Sequence, residues 1–298
     1  MLVTIYGARG SFPSAQHSMM RYGGNTTCVA LQLVDGTHMF FDAGTGLRNY
    51  GKDLLRAGLP DRAHFLLSHL HHDHVFGMPF FEPVYRPDFE LVVHRVHPAD
   101  EPPFNPIPRI FDGVQTPVPL HDLPCRVTVA ADEAPSFTIG SAQVRRIALN
   151  HPGGCTGFRV DDADGGSFTF FTDNELHPPG PTTSTAEEQA EFAKGTGVLF
   201  HDAQYLSPEM AQHAGWGHSS VDQALAQGKA ARPALLLLTH HDPDRNDAAL
   251  DAIGEEVADF ARRELEGEAE LAYEGMRLEI TGAGCRKLVD RWDQGNTR

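Results

Sequence analysis

Apolar and polar positions alternate in short runs along the chain, and glycine, proline or small polar residues close most of them. Residues 1–6 read as a first strand. Residues 28–34 and 38–41 flank Asp35-Gly36-Thr37, a hairpin turn. Leu47, Tyr50, Leu54 and Leu55 then recur at helical spacing until Gly58 and Pro60 stop the pattern. Further strands are predicted at 65–67, 91–93, 144–149, 168–172, 235–238 and 276–280, and the run at 235–238 is apolar at every position. Helices are predicted at 187–191, 221–230 and 249–265, the last with Ile253, Val257, Phe260, Ala261 and Leu265 as one apolar stripe. Residues 97–124 break the rhythm with Pro98, Pro102, Pro103, Pro106 and Pro108. They read either as a flap over a cleft, with Phe104 and Phe111 toward a substrate, or as a packed irregular connection. Residues 293–298 read as a frayed tail.

The polar residues that end these runs are not generic turn formers. Ser68-His69-Leu70-His71-His72-Asp73-His74 closes the strand at 65–67. His69 and His71, two apart in extended backbone, project to one side and can grip one ion. Asp73 and His74 follow where Gly77 suggests a turn into a helix, which swings them toward a second ion. His72 is expected to point away. Other strand exits add His151, Asp173 and His240, with His241 adjoining. Rigid strands carrying ligands at their ends are how a scaffold builds a site. A histidine-rich solvated turn is the plain alternative in a chain with 17 histidines, but His-x-His-x-Asp-His at a strand end is a much narrower pattern than His-x-His.

Phe41-Asp42-Ala43-Gly44-Thr45-Gly46, the His-x-His-x-Asp-His segment, His151, Asp173 and His240 resemble, in order, the five motifs of the metallo-β-lactamase fold superfamily. Within it they look like the ribonuclease Z-like phosphodiesterase branch. The resemblance implies an α/β fold, an αββα sandwich of two mixed β-sheets flanked by helices, over one domain at 1–298. It implies that His69, His71 and His151 bind one metal, that Asp73, His74 and His240 bind a second, and that Asp173 bridges them. Asp42 is then a carboxylate that orients ligand histidines. Leu199-Phe200-His201-Asp202-Ala203-Gln204-Tyr205 is similar to the H-E-A-T element of ribonuclease Z, and Gly215-Trp216-Gly217-His218-Ser219-Ser220 to its G-H-S-T element. Asp202 and His218 thereby inherit the role of protonating the leaving oxygen, although Asp is one methylene shorter than Glu and leaves their direct contact in question. Ser219 or Ser220 also suits the cap of the helix near Val221. Tyr6-Gly7-Ala8-Arg9-Gly10-Ser11, Tyr22-Gly23-Gly24-Asn25-Thr26-Thr27-Cys28 and His240-His241-Asp242-Pro243 look closer still to bacterial cyclic-nucleotide-phosphodiesterase-like hydrolases.

The chemistry so implied is hydrolysis of a small phosphodiester or cyclic nucleotide by a hydroxide shared between two divalent ions, with Asp73 also available as proton acceptor. His/Asp ligation suits zinc, with manganese or iron as alternatives. Arg9, Asn25 and Arg245 are candidates to neutralise charge on the phosphoryl oxygens. A thioesterase of the same fold, or a non-enzymatic metal-based sensor of oxygen or another ligand, are the competing readings.

Composition narrows the partner. A net charge of −16 with no Lys/Arg run argues for a small anionic substrate and against tRNA or other large nucleic acid. The segment 174–196 is too short for the long substrate-gripping arm of ribonuclease Z. No stretch is long enough to span a bilayer, and residues 1–6 lack the features of a signal peptide. Cys28, Cys125, Cys155 and Cys285 have no Cys-x-x-Cys spacing, which leaves buried thiols and a cytoplasmic setting, with a homodimer allowed.

Overall fold

Two mixed β-sheets lie face to face in the computed structural model, which describes residues 1–97, 102–131 and 134–288. Pro98 and the tail expected at 293–298 fall outside the described residues. The first sheet contains β1 (Leu2–Gly7), β2 (Cys28–Gln32), β3 (His38–Phe41), β4 (Arg62–Leu66), β5 (Glu90–Val93) and β6 (Arg126–Val129), with β14 (Arg277–Thr281) and β15 (Gly284–Lys287) beyond β1. The second contains β7 (Ser136–Ile139), β8 (Ala142–Leu149), β9 (Cys155–Asp162), β10 (Ser167–Phe171), β11 (Val198–Asp202), β12 (Leu235–Thr239) and β13 (Glu268–Leu271). Its order is β13-β12-β11-β10-β9-β8-β7. Strands β3 to β6 are mutually parallel, as are β10 to β13, and the remaining pairs are antiparallel. Seven α-helices complete the chain: α1 (Leu47–Ala57), α2 (His72–Val75), α3 (Ile107–Ile110), α4 (Ala186–Ala193), α5 (Met210–His213), α6 (Val221–Ala231) and α7 (Asp247–Glu264), counted among the described residues.

Strand periodicity explains the layering. On β12, Leu235 and Leu237 face the interior between the sheets, whereas Leu236 and Leu238 face the α6 and α7 side. That is why the run shows no alternation: both faces are covered. On β3, Met39 and Phe41 point between the sheets, and Phe40 packs outward with Leu47, Tyr50 and Leu54 of α1. The interior is threaded by a column of rings, Phe41 on Phe170 (4.8 Å, 13°) and Phe170 on Phe200 (5.4 Å, 8°). The result is the expected αββα sandwich of two mixed sheets flanked by helices.

Residues 102–124 resolve into the packed alternative. Ile107, Ile110, Phe111 and Leu123 are buried with Phe65 and Leu91 on the outer face of the first sheet, so Phe111 is core rather than a substrate contact. Phe104 is half-buried beneath the Arg109 guanidinium, 3.9 Å away. Helix α6 is capped by Ser220, whose side chain accepts from Gln223 N while Gln223 reaches back to Ser220 N. No helix among the described residues is long and apolar enough to cross a membrane.

Candidate metal centre

The parallel registers bring a row of strand exits together. Phe171 lies beside His201 and Asp202 beside Thr239, so Asp173, Asp202 and His240 emerge side by side at the carboxyl ends of β10, β11 and β12. Strand β8 runs in the same sense as β10, since both are antiparallel to β9, and delivers His151 to that edge. In the other sheet, Asp42 follows β3, and residues 68–74 follow β4 into α2. Asp42, Asp173 and His240 all adopt left-handed backbone, with φ of 55°, 43° and 60°. Such a kink turns a side chain sharply off the strand axis, and Asp and His are among the non-glycine types that tolerate it. Strain of this kind concentrates where geometry matters.

Two adjoining donor clusters result, and a third grouping joins Asp173 and His240 to Asp202 and His218. His69, His71, His151 and Asp173 form one; Asp73, His74, Asp173 and His240 form the other, and in each the donor atoms lie within 4.8 Å of one another. Asp173 belongs to both. Its Oδ2 lies 3.5 Å from His69 Nε2 and 3.6 Å from His151 Nε2, while its Oδ1 lies 3.1 Å from both His74 Nε2 and His240 Nε2. Asp73 Oδ2 lies 3.0 Å from His74 Nε2 and 3.3 Å from His240 Nε2. His71 presents Nδ1, 2.9 Å from His151 Nε2. His240, not His241, faces this centre; His241 donates through Nε2 to the Ala272 carbonyl at 2.7 Å. His72 is exposed and points away, onto a groove of about 480 Å³ shared with Phe76, Phe80 and Arg109.

The outer nitrogens show why the inner ones are free to bind. His74 Nδ1 lies 2.6 Å from Asp42 Oδ2, His151 Nδ1 2.9 Å from the Gly217 carbonyl, and His240 Nδ1 2.9 Å from Gln204 Oε1. Each partner accepts, so each Nδ1 carries a proton and Nε2 is the nitrogen that a bound cation would take. Ser68 Oγ donates to Asp42 and therefore accepts from His69 Nδ1 at 3.0 Å, which extends the same logic to His69. His69 Nε2 and His74 Nε2 are buried without a hydrogen-bond partner, because the nearby carboxylate oxygens lie off the bonding direction. Donors crowded this closely, two of them buried without a hydrogen-bond partner, fit cations held between them, and His/Asp sets of this kind suit divalent metals.

Charge follows the same partition. Burial pushes His69 down, and it brings His151 to about 4 despite Asp173. Burial also works against the charge on His240, but Asp173, Asp202 and Asp73 outweigh it and raise this imidazole to about 9. His74 is raised in the same way by Asp173, Asp73 and Asp42.

Beside the clusters, Asp202 and His218 are in direct contact, with Oδ2 2.7 Å from Nδ1, so the shorter acidic side chain still reaches. Asn174 N and Gln204 N donate to the same carboxylate. The His218 ring stacks on His240 at 4.8 Å and meets His151 edge-on at 5.2 Å. The three cationic or amide candidates are placed elsewhere. Arg9 is fully buried and donates to the carbonyls of Gly23, Asp242 and Arg245, Asn25 is tied to Glu274, and Arg245 is bidentate on Glu209. Their apparent availability in sequence reflected charge, whereas the folded chain uses it to satisfy backbone and carboxylate groups. Cys155 is a buried thiol donating to the Thr172 carbonyl.

Several supporting residues carried no metal-binding signature in sequence. Gln204 and Ser68 are ordinary polar types, and Glu175 works indirectly by accepting from Gly215 N and Gly217 N. Gly10 and Gly217 are required by proximity. A Cβ at Gly10 would sit 2.3 Å from His240 Nδ1, and one at Gly217, which has φ of +88°, 2.2 Å from His151 Nδ1.

Residues 37–241 match the family described as the β-lactamase superfamily domain. The chain belongs to that superfamily. It is 23% identical to ribonuclease Z of Haloarcula marismortui over 321 aligned positions, which cover 94% of this chain and 97% of that one. Its structure is similar to a diphosphatase of the PhnP family, with a TM-score of 0.64, 18% identity and coverage of 93% and 97%. It is also similar to the short form of human tRNase Z, with a TM-score of 0.58, 20% identity and coverage of 94% and 99%. The fold is that of the metallo-β-lactamase hydrolases, here with candidate metal-binding His/Asp clusters, and the ribonuclease Z likeness leaves tRNA among the substrates to be tested.

Proposed function

We propose that this chain is a dinuclear metal-dependent phosphodiesterase acting on a small phosphodiester or cyclic nucleotide. The observation that carries the reading is the Asp202–His218 pair, packed directly against a seven-residue donor set whose shared member is Asp173. His69, His71, His151 and Asp173 would hold one divalent ion, and Asp73, His74, Asp173 and His240 the other. Zinc suits these donors, with manganese or iron as alternatives. When bound, two such ions supply an activated water and neutralise charge on phosphoryl oxygens.

The protein's own groups do the rest. Asp202 accepts from His218 Nδ1, which fixes the ring direction and leaves Nε2 as the nitrogen available to the reaction. His218 then holds a proton on Nε2 for the departing alkoxide, a general-acid role typically worth about 10²–10⁴-fold in rate. Thioester hydrolysis, with a thiolate as a better leaving group, has less need of such an acid. Donors come from both halves of the chain, so the site requires the span to act as a single domain.

Two observations support a small substrate over tRNA. Net charge is −16, and the connection between β10 and β11 folds back through α4, with Ala190 and Ala193 buried against the second sheet. The test compares the purified, metal-loaded protein on an activated phosphodiester, cyclic nucleotides and precursor tRNA, with bound metal measured in parallel. Turnover of the small phosphodiesters with two ions per chain is expected. Preferred cleavage of precursor tRNA, or metal binding without hydrolysis, overturns the reading.

A further inference from the structure

Gln204 is buried, and its side chain joins both halves of the second cluster. Its Oε1 lies 2.9 Å from His240 Nδ1, and its Nε2 donates to Ser11 Oγ at 3.2 Å. Ser11, in left-handed backbone with φ of 56°, donates its own N–H to Asp73 Oδ2 at 2.9 Å. One amide therefore links His240 to Asp73 through a single serine. Its backbone is held as well, with Gln204 N on Asp202 Oδ1 and Arg245 Nη1 on the Gln204 carbonyl at 2.8 Å.

The orientation of this amide has two chemical outcomes. With oxygen toward His240, Nδ1 must carry the hydrogen and Nε2 offers a lone pair to the cluster. With the NH₂ toward His240, the hydrogen moves to Nε2, where Asp73 and Asp173 would accept it, and the imidazole becomes a donor to carboxylates instead of a metal ligand. The structure holds the first arrangement, with Ser11 Oγ accepting from Nε2, while Ser11 N–H donates to Asp73 Oδ2.

We infer that Gln204, acting with Ser11, is a positioning residue that keeps His240 in its metal-binding tautomer and aligns it with Asp73. This rests on the reading that the clusters hold two ions. It assigns a function to the fourth position of the His-Asp-Ala-Gln element distinct from that of Asp202.

The experiment titrates zinc, and separately cobalt with its visible spectrum, into the metal-stripped full chain as wild type, Gln204→Leu and Gln204→Glu. Wild type is expected to bind two ions. Gln204→Leu, which keeps the shape but loses the acceptor, should weaken one of the two ions by about 10–100-fold and leave the other unchanged. Gln204→Glu restores an acceptor and should recover most of that loss. If Gln204→Leu does not fold, as judged by circular dichroism, Gln204→Met makes the same comparison. Two unchanged affinities in the Leu or Met variant overturn the inference, as does equal weakening of both ions or failure of Glu to rescue. A wild type that binds no second ion instead overturns the dinuclear reading on which it rests.

Discussion

His218 Nδ1 lies 2.7 Å from Asp202 Oδ2, and that carboxylate is fixed by two backbone N–H groups. The imidazole is therefore aimed by the β11 exit. His218→Ala should leave metal content intact and lower kcat by about 10²–10⁴-fold on substrates with poor leaving groups, with a much smaller effect on nitrophenyl esters. Steady-state kinetics across a leaving-group series checks this. Equal losses on all leaving groups would remove the general-acid assignment.

Asp73 contributes to only one cluster. Asp73→Ala is expected to reduce metal content from two ions to one and to abolish phosphodiester turnover together with it. Metal analysis and activity on the same preparation decide the matter. An active variant that retains both ions would show that Asp73 is not a ligand.

Metal uptake should depend strongly on pH at one cluster and only weakly at the other. In the metal-free chain His240 is raised to about 9 by Asp173 and Asp73, and His74 is held well above its ordinary range by Asp173, Asp73 and Asp42, so both favour the protonated form at neutral pH. Binding of an ion there must displace about two protons, and affinity falls as pH falls. His151, lowered to about 4, and His69, also lowered, are already neutral, so the other cluster releases almost none above that pH. Calorimetry in buffers of different ionisation enthalpy at pH 7 counts the protons. Two uptake steps with the same proton release would contradict the assignment.

The two glycines that lie against ligand rings offer a paired test. Gly10→Ala crowds His240, whereas Gly217→Ala crowds His151 and adds a side chain at positive φ. Each should weaken a different ion, which competition with a chelator can resolve. Identical effects of the two substitutions would mean that they act through general destabilisation.

Much of this was legible in the chain because strand-exit chemistry is local. The apolar runs at 65–67, 168–172 and 235–238 each led into a donor, and the structure puts strands at all three. Strands β6, β7, β13 and β15 were missed, since exposed positions such as Ser136, Glu268 and Arg286 leave little apolar signal, and the buried β9 and β11 were missed too, because polar residues such as Thr156, Arg159, His201 and Asp202 interrupt their apolar runs. The segment after residue 101 misled because proline suppresses regular structure without preventing burial, and Ile107, Ile110 and Phe111 supply the core contact. Arg9 misled for a different reason: charge suggested the surface, whereas three backbone carbonyls needed a donor inside. Gln204 and Ser68 gave no warning, because amide and hydroxyl groups become specific only when the fold supplies an imidazole beside them.

The ring column between the sheets ties the interior to the chemistry. Phe41 immediately precedes Asp42, Phe170 sits three residues before Asp173, and Phe200 two before Asp202. Aromatic packing thus sets the height of the floor on which the reactive edge rests. Emptying it, as in Phe170→Leu, would let carboxylates on separate strands drift independently, so damage far from solvent would be felt first as misfit within the His/Asp clusters, before any loss of the folded state.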